Sequence, residues 1–195
     1  MILRIVFVAT IRVNKQLDYM GIEIKIACFE YFLKGILSWH SVKYRGQLLV
    51  LTKVKALKLL FLTSAIKCDD GNDLLDIFDR FYAMKHGPVE SDIYNAMMND
   101  KLLHYSFKNT NIEVVNESNI GNELSEEIRK RIDTSINQLM GKNPSLINKT
   151  AFYLVEITHK WSCWQHAMEV ASILGKGSYL MDTNSIRISN NSVFE

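Results

Sequence analysis

Apolar residues recur along the chain at helical spacing, interrupted by short polar and glycine-bearing breaks. Ile26, Phe29, Phe32, Leu33, Ile36 and Leu37 fall on one face of a helix, and Gly46 in "YRGQ" marks a turn after it. The next run, "LLVLTKVKALKLLFLTSAIK", holds Leu51, Val54, Leu57, Leu60, Phe61 and Ser64 in helical register. Apolar almost all round at "LLFL", it is expected to be the central helix, with Lys53, Lys55 and Lys58 mostly on its opposite, solvated side. "CDDGND" supplies a loop and a helix start, and "LLDIFDRFYAM" is expected to continue as a helix with Leu75, Phe78 and Tyr82 on one stripe.

Pro88 breaks this rhythm, because the residue before a proline is pushed out of the α region. "HGPV" therefore reads as an extended or turn segment, the preceding element stopping near Lys85 and a helix restarting within "VESDIYNAMM" from Glu90 or Ser91. "HYSFKNTNIEVVNESN" reads as a loop with one edge strand. "NELSEEIRKRIDTSINQLMG" buries Leu124, Ile128, Ile132, Ile136 and Leu139 and is expected to end at Gly141. "NKTAFYLVEITHKW" reads as a buried helix through Phe152, Leu154, Val155 and Thr158, and "SCWQHAMEVASILG" as a new one opened by a Ser162–Gln165 capping box. In the tail, "SIRIS" is a candidate strand.

These elements predict a mainly α fold, a compact single-domain bundle of about six or seven helices with at most a small strand element. No linker divides the chain. The amphipathic pattern that begins after Met20 makes Met20 a candidate translational start. The expected layout is an N-terminal extension (1–24), a helical domain (25–175) and a C-terminal tail (176–195).

At 48% hydrophobic and 23% charged residues, the composition is that of a folded protein rather than a disordered one. A formal charge of +2 sets no demand for a polyanion, which disfavours nucleic acid as a partner. Cys28, Cys68 and Cys163 are odd in number and widely spaced, which fits a reducing cytoplasm better than a disulfide framework. "MILRIVFVAT" is apolar but short and is followed by Arg12, with Arg4 inside it, so no membrane span is expected.

Common catalytic signatures are missing. Lys176 in "LGKGS" lacks the upstream glycine and the following Ser/Thr of a phosphate-cradling loop, and no GxGxxG, GxSxG or HExxH occurs. His159, Cys163 and His166 have ligand chemistry that zinc favours, but the helix break at Ser162 separates them. Cys163 with His159 or His166 as base is the corresponding nucleophile arrangement, without an evident oxyanion donor. The lysines of "TKVKALK", with Lys67 beyond, are either a phosphate-binding stripe of a DNA-binding regulator or a solvated face, and the weak net charge favours the latter. No catalytic residue, metal or cofactor is assigned, and the expectation is a protein that is not an enzyme.

Three segments in order, "LKLLFLTSA", "FDRFYAMKHGPVESDIYNAM" and "LVEITHKWSCWQHA", carry a resemblance. Lys58, Leu59, Leu60 and Phe61; Phe81, Ala83, Gly87, Pro88, Val89 and Tyr94; and Thr158, His159, Trp161 and Trp164 match the pattern of the Panacea domain family, the SocA-like antitoxins of bacterial and phage toxin–antitoxin systems. His86 stands where that pattern often has tyrosine, and Thr158 where it often has serine. The resemblance implies a mainly α, non-enzymatic domain that neutralises a cognate protein toxin by direct binding, some relatives acting as adaptors that deliver the toxin to a protease. Trp39, Tyr82, Tyr94, Trp161 and Trp164 are the candidate partner-binding anchors, since aromatics dominate binding hot spots.

Overall fold

The computed structural model describes residues 2–66, 73–108 and 111–189, residues 2–20 as backbone only. The expected loop at "CDDGND" includes residues 67–72, which lie outside the described residues, as do Lys67 and Cys68. Helix α1 (Ile2–Lys43) runs unbroken into the bundle, and in its C-terminal half Ile26, Phe29, Phe32, Leu33 and Ile36 are buried as their spacing predicts. Gly46, with φ +76°, makes the turn that follows. Helix α2 (Lys53–Ser64) starts at Thr52, whose hydroxyl accepts the N–H of Lys55, and from Lys55 onward every residue of α2 is buried. It is the central helix, covered by α1, by α4 (Glu126–Lys142), by α5 (Ala151–His159) and by a small sheet.

That sheet and the turn at residues 74–78 before it correct the expectation of a helix across "LLDIFDRFYAM", none of which is helical. Phe81–Met84 forms strand β1, Lys85 and His86 make an exposed two-residue turn, and Gly87–Glu90 returns antiparallel as β2. Strand β5 (Ser178–Leu180) pairs with the other side of β1, giving the order β2-β1-β5. The residues 81–84 alternate buried and half-buried, the period of a strand rather than the three-and-four spacing of a helix. Two short strands, β3 (Tyr105–Ser106) and β4 (Glu113–Val114), pair in the polar loop where one edge strand was expected.

Helix α3 (Ser91–Met98) begins at Glu90, whose carboxylate accepts the Ile93 N–H. Leu124, just before α4, and Ile132, Ile136 and Leu139 within it are buried and Ile128 is half-buried, but the helix runs through Gly141 and ends at Asn143, because Gly141 keeps a helical rather than a left-handed conformation. After a 3-10 turn (Leu146–Asn148), α5 presses Leu154, Ile157 and Thr158 inward. Phe152, expected in the core, lies in the first turn off that face and is 74% exposed.

Helix α6 (Ser162–Ile173) starts without the expected capping box. Ser189 supplies the cap from a distant segment, its hydroxyl accepting the Cys163 N–H at 3.2 Å, while Gln165 reaches back to the His159 carbonyl. "SIRIS" is helical within α7 (Thr183–Ile188), Asp182 capping its start, and the strand lies just upstream in β5. The seven helices and small antiparallel strands among the described residues make the fold mainly α.

Candidate functional site

The β1–β2 hairpin gathers residues that are far apart in sequence. A two-residue turn makes Met84 and Gly87 a hydrogen-bonded pair, so the alternation of an antiparallel ladder turns Pro88 and its carbonyl toward the outer edge of β2. An edge strand is where a residue without an N–H is tolerated. Lys58 comes from α2 to this edge and donates its ammonium to the Pro88 carbonyl at 2.6 Å. Lys58 is 1% exposed, and burial pushes it down to about 7 from an ordinary value of 10.5.

Gly87 has φ +88°, and a Cβ there would lie 2.5 Å from Thr158 Oγ1 and 2.9 Å from Lys58 Cε. Thr158 is held in place by donating to the Val155 carbonyl at 2.9 Å. Lys58, Gly87 and Thr158 thus interlock, and a glycine is required both for its backbone conformation and for the missing side chain. Below the hairpin, Phe61 meets Phe81 edge-on at 5.3 Å and Trp161 edge-on at 5.0 Å, a geometry that adds about 1 kcal/mol per pair beyond burial. Trp164 donates its indole N–H to the Met84 carbonyl at 3.1 Å, with the His159 ring stacked on it at 4.0 Å. Burial pulls His159 below its ordinary value; Glu156 opposes this, and Lys58 and His86 add to it.

The other end of β2 is held by charge. Glu90 is fully buried and accepts from the Ile93 N–H at 2.8 Å, from the Arg80 N–H at 3.3 Å and from the Lys25 ammonium at 3.0 Å. Lys25 also pairs with Asp79 at 2.6 Å and Asp92 at 2.8 Å. Burial pulls Lys25 down, but Glu90, Asp79 and Asp92 outweigh it and leave it raised. Burial lifts the Glu90 carboxyl above its ordinary range against the pull of Lys25. Oxygens of Asp79, Glu90 and Asp92 lie within 4.8 Å of one another, near enough to hold a cation, and the Lys25 ammonium already fills that role.

The residues matching the family pattern therefore converge as a scaffold. Lys58, Phe61, Phe81, Ala83, Gly87, Pro88 and Val89 are buried, His159 and Trp164 are half-buried, and Tyr94 stands off α3 at 38% exposed. Among the candidate anchors, Trp39 at 4% and Trp161 at 0% exposed are core residues, which removes them as surface contacts; Tyr82 and Trp164 reach solvent in part. Burying a large indole stabilises the core more than exposing it serves a surface.

The expected lysine face is also corrected. Lys55 and Lys58 are buried because α2 is covered from Lys55 onward, so of the three lysines in "TKVKALK" only Lys53, half-buried in the first turn, reaches solvent, and together they form neither a solvated face nor a phosphate-binding stripe. Cys163 is buried and its thiol is pushed up, the reverse of what a nucleophile needs. His159 lies at the end of α5 and Cys163 and His166 on α6, with Lys160 and Trp161 forming the break between the two helices. Sequence spacing gave no sign of Lys25, and it showed Glu90 only as a helix start. A concavity of about 1070 Å³ lies elsewhere, lined by Ile22, Ile26, Glu30, Leu103 and His104, and no residue of the matching pattern borders it.

The family model described as antitoxin SocA-like, Panacea domain, matches residues 57–165, a span that contains Lys58, the hairpin and the His159–Trp164 helix junction. No curated protein and no solved structure matches the chain. With its fingerprint residues interlocked around Gly87 and the match covering more than half of its length, the chain belongs to the SocA-like antitoxin family that carries the Panacea domain.

Proposed function

We propose that this protein is the antitoxin of a toxin–antitoxin pair and neutralises a cognate protein toxin by direct binding, in the cytoplasm and without catalysis. The observation that carries this reading is the family match over residues 57–165. The arrangement of the matched residues supports it. Apart from Tyr94, which stands exposed on α3, each is packed into the core or hydrogen-bonded, and the group with the most displaced acid–base behaviour among them, Lys58, is shut away from any substrate. Among the described residues no helix is long and apolar enough to cross a membrane.

The test is co-expression with the protein encoded next to this chain's gene. Growth should be rescued, and the two proteins should co-purify in a fixed ratio. Toxicity unaffected by this chain, together with no complex, overturns the reading for that pair. Toxin levels separate the two modes of action: a simple inhibitor leaves the bound toxin intact, whereas an adaptor lowers its abundance in a protease-dependent manner.

A further inference from the structure

The segment 47–52, between α1 and α2, is an extended edge without a neighbouring strand on one side. Its burial alternates: Leu48 is 84% and Val50 57% exposed, while Leu49 and Leu51 are buried. That is the period of an extended chain, and it ends in the extended conformation of Thr52 (φ −77°, ψ 163°). Between its ends, where Gln47 donates to the Tyr44 carbonyl and Thr52 accepts from the Ala56 N–H, its backbone bonds lie on one side only. The Asn111 side chain accepts the Leu51 N–H and donates to the Leu49 carbonyl, and the Leu51 carbonyl accepts the Ile112 N–H. Residues two apart in a strand turn their N–H and C=O groups the same way, so those of Leu48 and Val50 point to the opposite, open edge. Among the described residues no hydrogen bond is made by the backbone of Leu48 or Val50.

We propose that this edge takes an extended strand of the protein partner, apolar at alternate positions and acidic at its ends. Backbone pairing with Leu48 and Val50 supplies affinity, and the two exposed side chains are covered by those of the added strand. The charge preference comes from the flanks. Lys43 and Arg45 stand before the segment and Lys53 after it, and the sequence from Tyr31 to Cys68 contains no acidic residue. The adjoining β4 brings one, Glu113. The identification of the partner as the toxin rests on the antitoxin reading; the edge itself does not.

The test uses the full chain and two synthetic heptapeptides, EVTVTVE and KVTVTVK, with amide NMR as the readout. EVTVTVE should shift and protect the Leu48 and Val50 amides, and KVTVTVK should bind about tenfold more weakly, the effect shrinking as salt rises. Val50→Pro removes the open N–H while keeping an extended backbone and should cost about tenfold in affinity. EVTVTVE methylated on the amides of its pairing edge should lose binding to the unaltered protein, which keeps the test decisive even where Val50→Pro fails to fold. Equal affinity for the two peptides, no protection of these two amides, undiminished binding of the methylated peptide, or preferential shifting of the same amides by duplex DNA overturns the proposal. Toxin neutralised while the peptide fails removes the edge and leaves the antitoxin reading; peptide bound while no toxin is neutralised does the reverse.

Discussion

Strand β2 is clamped at its two ends by two lysines in opposite ways. At one end Lys58, sealed among apolar side chains, meets a single main-chain carbonyl and is pushed down to about 7. At the other, Lys25 meets three carboxylates and is held above its ordinary value. The same side chain is a charge-locking clamp where counter-ions surround it and a poorly solvated hydrogen-bond donor where they do not. Burial sets the cost in both places, and only the partners differ.

The largest expected effect comes from the charged end. Lys25→Met leaves Glu90 buried without its cation and should cost about 3 kcal/mol in urea unfolding. Glu90→Gln, which retains an acceptor for the Ile93 N–H and strands no buried carboxylate, should cost less; equal losses would show that the ion pair itself, removed by both changes, carries this end rather than the penalty of an unpaired Glu90. Gly87→Ala tests the interlock. The added Cβ meets Thr158 and Lys58 in a left-handed backbone, so a loss of about 2–3 kcal/mol in thermal unfolding is expected. A loss below about 1 kcal/mol would mean that Thr158 and Lys58 yield freely. Trp164→Phe keeps most of the ring but gives up the bond to the Met84 carbonyl, for about 1 kcal/mol.

The smallest and most discriminating change is Lys58→Met. It removes a poorly solvated ammonium but leaves the Pro88 carbonyl unpaired, two effects that offset to within about 1 kcal/mol at neutral pH. Its signature is the pH dependence. Because Lys58 is depressed in the folded state, the unfolded chain binds more protons from about 7 upward, and the stability of the native protein should rise with pH there. Below about 7 both states are protonated and the penalty is constant. Lys25, raised on folding, works oppositely only above its ordinary value of 10.5, so the window from about 7 to 9 reports on Lys58 rather than Lys25. Stability curves of native protein and Lys58→Met measured across that window should diverge; parallel curves would place a charge partner beside Lys58.

Much of the helical framework was legible in the sequence. The stripes Ile26–Ile36 and Leu124–Leu139, the turn at Gly46 and the extended "HGPV" follow from spacing and from what glycine and proline do to the backbone. The hairpin is not legible because "FYAM" is too short for its period-two alternation to stand against the apparent helical spacing of Leu75, Phe78 and Tyr82, a spacing that the turn at residues 74–78 does not realise. Trp39 and Trp161 are candidate anchors by residue type alone, because an indole's chemistry suits a hot spot and a core equally well, and their burial is decided by packing. The burial of the α2 lysines is not legible in their charge: Lys55 and Lys58 lie in the run that packs all round and are buried with it, while Lys53, in the first turn, is only half-buried.

By itself the sequence determined which stretches coil, where the chain must turn at Gly87–Pro88, and, through the order of its motifs, the family. Only the tertiary structure decided what those motif residues do. Lys58, Gly87 and Thr158 lie far apart along the chain, and the Cβ that glycine lacks matters only once Lys58 of α2 and Thr158 of α5 close on the same point of the hairpin. Local propensities are set by neighbours a turn away, whereas a buried charge takes its properties from whatever the fold packs against it.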